Sequence, residues 1–135
     1  MLKLFELKNG KLKTLFHAIH PAVTSQQQAP ASRVVPIGEW VEATQKPVRD
    51  GSGSPKYLSG FHVFCCDLES IAKYCNRFRK ERELVLVDVC VGGVRLKPTN
   101  SQVLLAATMF VPQGFQPIKL STLRSLTCTT TLKKL

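Results

Sequence analysis

Residues 57–111 read YLSGFHVFCCDLESIAKYCNRFRKERELVLVDVCVGGVRLKPTNSQVLLAATMFV, which sets a strand, a helix and two apolar strands in one unbroken unit. From Gly60 to Cys66 the side chains alternate. Phe61, Val63 and Cys65 fall on one side and His62, Phe64 and Cys66 on the other, which is the two-residue period of a strand. Asp67 follows where a helix cap is wanted, because its carboxylate can accept a bond from an amide two or three residues on. Leu68, Ile71, Ala72, Cys75 and Phe78 then recur at helical spacing, while Lys73, Asn76, Arg77, Lys80 and Glu81 fall mainly outside that face. The pattern predicts a helix over about 67–82. Leu84 to Val91 is almost wholly leucine and β-branched, interrupted by Asp88, and predicts a central strand that Gly92-Gly93 ends. Gln102 to Val111 supplies a further apolar strand, closed by Pro112.

Outward from this unit, LFELK and KLKTLF flank Asn9-Gly10, the dipeptide best suited to a type I′ turn, so Lys3 to Phe16 reads as a hairpin. HPAVTSQQQAPASR (20–33) and QKPVRDGSGSPK (45–56) are small, polar and punctuated by proline and glycine, as mobile loops are. Between them VVPIGEWVEAT is a short ordered island whose Trp40, the only tryptophan, is expected to anchor the core. The tail 121–135 reads as one more strand or a loose end. The sum is a single α+β domain over 1–135: a compact, mixed, strongly twisted sheet of about six strands with one principal helix.

Lys and Arg number 19 against 9 acids, a net charge of +10. Lys3, Lys8, Lys11 and Lys13 crowd the start, Arg77, Arg79, Lys80 and Arg82 the middle, and Lys133 and Lys134 the end. Such a field draws phosphate backbones and acidic proteins alike. The middle cluster exceeds what a helix C-terminus needs to balance its dipole, which makes Arg77, Arg79, Lys80 and Arg82 candidate partner-binding residues. No apolar run reaches the length of a membrane span, and the start lacks the apolar core of a signal peptide, so the expected compartment is the cytosol.

Chemistry-bearing motifs are sparse. Five cysteines without a framework spacing imply reduced thiols, not disulfides. No Cys-x2-Cys occurs, and the adjacent Cys65 and Cys66 point to opposite sides of a strand, so no metal site is expected. Gly51-Ser52-Gly53-Ser54 leads into Pro55 and not into a helix, which removes it as a phosphate cradle. Asp88 on an apolar strand must face solvent or meet a cation such as Arg95. His62, on an apolar strand just before a helix, is the most pointed candidate for acid–base or ring-stacking work.

Two family resemblances rest on particular motifs. Gly60, Phe61, His62 and Phe64 on the strand, Ala72, Tyr74 and Cys75 on the helix, and LVLVDVCVGG after it resemble the second half of an ADP-ribosyltransferase fold of the poly-ADP-ribose polymerase type. That resemblance implies NAD or an ADP-ribose derivative in a groove between the His62 strand and the Val89 strand. His62 would stack on the nicotinamide, His17 would hold the ribose and Gln102 would stand where the family has its glutamate. Ile71 occupies the position of the family's pocket serine, and no Asp or Glu follows Asp88. Binding without transfer is what those departures imply.

The second resemblance covers more of the chain. LFELKNGKLKTLF, VPIGEWVEA, SGFHVF and the strand with Ala107 and Met109 are similar, in this order, to small uncharacterised proteins of bacteriophages and prophages. It implies a phage accessory protein and names no chemistry; the expectation is a non-catalytic protein without cofactor that acts in the host cytosol. Its partner would be a host protein or nucleoprotein complex, and an inhibitor of bacterial defence of the anti-CRISPR kind is the concrete version. Nonspecific nucleic-acid binding is the remaining class that the charge invites.

Overall fold

The computed structural model describes residues 1–15, 19–20, 33–75 and 83–122. In chain order the elements are β1 (Leu2–Lys8), β2 (Lys11–Lys13), β3 (Ile19–His20), β4 (Trp40–Ala43), β5 (Pro47–Val48), β6 (Tyr57–Leu58) and β7 (Phe61–Phe64). Helix α1 (Leu68–Cys75) follows, then β8 (Leu84–Asp88), β9 (Cys90–Gly92), β10 (Arg95–Leu96), β11 (Val103–Ala106), β12 (Thr108–Phe110) and β13 (Ile118–Lys119). The local signals act as expected. Asn9 and Gly10 take φ of 54° and 74°, both left-handed as a type I′ turn demands, and bring Lys8 opposite Lys11. The Ser70 amide donates to Asp67 Oδ1 at 2.7 Å and caps α1. The rest of the helix expected over 67–82 lies outside the described residues.

A seven-stranded sheet runs β10-β11-β7-β1-β8-β13, with β2 also on β1, and a four-stranded sheet runs β3-β4-β12-β9. The fold is α+β and rich in sheet. Among the described residues every pairing is antiparallel, which corrects the expectation of a mixed sheet. The physical reason is the place of the first strand. The segment containing α1 joins β7 to β8, which run the same way, but β1 lies between them and opposes both.

The run Leu84–Val91 is not one strand. It breaks at Val89, so that β8 belongs to the large sheet and β9 to the small one, and β11 and β12 part in the same way at Ala107. At the first corner the Val89 amide donates to the Met1 carbonyl at 2.8 Å. At the second, the Ala107 amide is shared between the carbonyls of Gly92 and Gly93 at 3.0 and 3.3 Å. Gly93 turns there with a φ of 61°, and a Cβ on it would stand 2.8 Å from that of Ala107. Two chain segments thus carry the hydrogen bonding from one sheet to the other, as corners of packed sheets do.

Both faces of the large sheet are covered. Phe5, Val63, Val85 and Val87 pack with Val41, Met109 and Val111 of the small-sheet layer, while Leu4, Phe64, Leu84, Leu86 and Val103 pack with Ile71, Ala72 and Cys75 of α1. Burial on both sides explains why β8 is apolar without alternation. Asp88 ends that strand with its side chain exposed and its carboxylate 2.8 Å from the Met1 amino group. Trp40 is not a core anchor. It is 51% exposed, because β4 sends Val41 inward and Trp40 and Glu42 outward. The expected loop 45–56 carries β5, which pairs with β6 and has a pinned tip, while 21–32 of the other loop lies outside the described residues.

Candidate functional site

The site begins as a fault in the large sheet. β1 and β7 share one ladder pair, Leu2 with Phe64. The bonds from Val89 to Met1 and from Leu7 to Glu83 turn the odd residues of β1 toward β8, so the N–H and C=O of Leu4 face the other way. On β7 the Cys65 amide donates to Gln102 on the β11 side, so the main-chain groups of His62 face β1. Continued register would pair Leu4 with His62. Instead the strands part, and from Glu6 onward β1 pairs with β2.

Into this gap reaches Lys3. Its Nζ donates to the His62 carbonyl at 3.0 Å and lies 5.6 and 5.8 Å from the ring centroids of Phe5 and Phe61. The residue is only 6% exposed. Among the described residues no carboxylate pairs with it. Burial therefore pushes the ammonium from its ordinary 10.5 down to about 8. Around it opens a cavity of about 50 Å³ that widens to solvent, lined among others by Thr14, Leu15, Phe61, His62, Tyr74 and Val103. Tyr74 reaches it from α1 and meets Phe64 edge to face at 5.4 Å.

Of the residues expected to matter, His62 is at this cavity, half-buried. Gln102 is not. It sits opposite Cys65 in the ladder, three residues along from the pairing of His62 with Leu105, or about 10 Å. Its own amide donates to Asn100 Oδ1 at 2.9 Å. His17, Arg77, Arg79, Lys80 and Arg82 lie outside the described residues. Lys3 is not among the expected site residues, because in the sequence it is one of four lysines that crowd the start. The signal was present: Leu2 and Leu4 on one side of the strand and Phe5 and Leu7 on the other mark it as apolar on both faces.

A second charged cluster sits at the far edge of the same sheet. Asp50 accepts hydrogen bonds from the Tyr57 and Thr99 hydroxyls, and Lys97 Nζ lies 3.1 Å from it and 5.7 Å from the Tyr57 ring centroid. Burial alone would raise the Asp50 carboxyl, but these partners outweigh it and hold it at about 2. Burial, and then the Asp50 carboxylate, push the Tyr57 phenol upward. Arg95, which could have met Asp88, instead donates to the carbonyls of Leu58 and Ser59 at 2.7 and 3.0 Å and to Gln45 Oε1 at 3.0 Å. This cluster fastens the β5–β6 hairpin.

The third feature is the outer face of the small sheet. Phe110 lies between Trp40 and Cys90 in register, with the Trp40 and Phe110 ring centroids 5.5 Å apart. Trp40 and Cys90 are exposed, and Glu42 projects from the same side of β4 two residues from Trp40. Among the described residues the cysteines are free, no three His, Cys, Asp or Glu are grouped to hold a metal, and no helix is long and apolar enough to cross a membrane. Comparison with protein-family models, curated proteins and solved structures finds no match, so the transferase and phage-protein resemblances rest on their short motifs alone.

Proposed function

We propose that this is a non-catalytic binding protein whose partner is another protein and whose contact surface is the outer face of the small sheet. The observation that carries this reading is the exposed Trp40, side by side with Phe110 on a sheet face that nothing in the chain covers among the described residues. Exposed tryptophan beside a second ring is the composition of an interface anchor, which gains most when a partner desolvates it. The Glu42 carboxylate beside it repels a phosphate chain, which favours a protein over a nucleic acid at this face and suits a partner that brings Lys or Arg to the rings. The phage resemblance puts that partner in a bacterial host, with a defence complex of the CRISPR kind as the concrete target. The basic residues Arg77, Arg79, Lys80 and Arg82 belong to the same reading as a second contact.

Phage plating on immune hosts tests it. Expression of the chain should restore plating, Trp40→Ala should lose that effect while the protein stays folded, and the purified chain should retain the defence complex. Unchanged plating together with no retained complex would overturn the reading. A second reading, binding of NAD or an ADP-ribose derivative without transfer, draws support from one observation: His62 and a buried cation line the same cavity. Incubation with labelled NAD checks it, and label appearing on protein would contradict the non-catalytic proposal.

A further inference from the structure

The gap between β1 and β7 holds a cation that the fold does not answer. A lysine that is 6% exposed ordinarily meets a carboxylate, because stripping an ammonium of water costs several kcal/mol that one neutral acceptor does not return. Lys3 has one carbonyl, that of His62, and two ring faces. Beside it the Leu4 N–H points into the same gap, where the sheet would have supplied a strand carbonyl had β7 stayed in register. Two donors, one of them charged, thus converge on one place. The remaining wall is largely apolar, with Leu4, Leu15, Phe61, Phe64 and Val103 around an opening to solvent. A single buried cation matches a monoanion, and apolar walls match a hydrocarbon tail or ring and not a second charged group.

We propose that this gap is a binding site for an amphipathic monocarboxylate. One carboxylate oxygen accepts from the Lys3 ammonium and the other from the Leu4 N–H, taking the place of the missing strand. The apolar tail passes from the gap along Phe64 and Val103, with Tyr74 at its side. Nothing in this proposal depends on the outer face of the small sheet, so either can fail alone.

Calorimetric titration with octanoate tests it, with octanamide as the neutral isostere and ADP-ribose as the nucleotide arm. Octanoate should bind about tenfold or more tighter than octanamide, the worth of one charge-assisted hydrogen bond. Lys3→Met keeps the length of the stem and removes the charge, and it should erase that preference. Because the variant loses an unpaired buried charge it should melt no lower than the wild type, which separates lost binding from lost folding. Amide chemical-shift changes should centre on Leu4, Leu15 and residues 61–63. Equal affinity for octanoate and octanamide, an unchanged preference in Lys3→Met, shift changes that centre elsewhere, or ADP-ribose displacing octanoate from these residues with a lower Kd would each overturn the proposal.

Discussion

Lys3 and Asp50 are opposite answers to one problem, a charge partly or wholly withdrawn from water. Asp50 has gathered three donors, from Tyr57, Thr99 and Lys97, and in doing so fastens the β5–β6 hairpin to the turn after β10. Lys3 is more deeply buried and has a single carbonyl. The difference separates a structural clip from an open site. A charge whose partners are all supplied by the fold has no bonding capacity left for a ligand, whereas one whose partners are missing holds that capacity in reserve.

The largest effect that could break this contrast is the pH dependence of stability. The Lys3 ammonium is depressed to about 8 in the fold against 10.5 in the unfolded chain. Between those values the unfolded state holds the proton that the folded state has released, so stability rises with pH across that window. At neutral pH both states are charged and the penalty is fully present. The rise should amount to about 3 kcal/mol, on the order of two to three pKa units. Urea unfolding of the wild type and of Lys3→Met near pH 7 and again near pH 10 isolates it. The variant should be the more stable near pH 7, and the gap should close near pH 10. Parallel profiles would mean that Lys3 is compensated after all.

Asp50→Asn sharpens the other side. The Asp50 carboxyl is lowered to about 2 from 3.8, so its contribution is present above 3.8 and is lost as pH falls through about 2. Its side chain is 37% exposed, and solvent screening reduces the expected loss at neutral pH to about 1 kcal/mol. Thermal unfolding near pH 6 and near pH 2 should show the variant weaker at the first and level with the wild type at the second.

The smallest effect is expected at Trp40. A tryptophan in the core loses about 3–5 kcal/mol on truncation to alanine. On this outer face Trp40→Ala should change the unfolding free energy by about 0.5 kcal/mol or less. A core-sized loss would return Trp40 to the interior and remove the proposed contact surface.

Several elements were legible from neighbouring residues alone. Asn9-Gly10 named its hairpin, Asp67 its cap, the 68–75 period its helix, and the alternation at Phe61–Phe64 its strand. Each is set by contacts within a few residues, which is why sequence reports them. Three decisions were not local. The apolar run at 84–91 looks the same whether it stays in one sheet or crosses to another at Val89, because both halves are buried. Trp40 and Val41 alternate identically in either orientation, and only the second layer chooses which of them faces it. Lys3 reads as solvated until β7 comes beside β1 and brings the His62 carbonyl and the Phe61 ring to its ammonium. Neighbouring residues set the elements, and composition sets the overall charge. Which face each strand buries, where the sheets exchange strands, and which cation was left without a partner were decided by tertiary packing, because each depends on residues brought together from separate parts of the chain, such as His62 beside Lys3 and Phe110 beside Trp40.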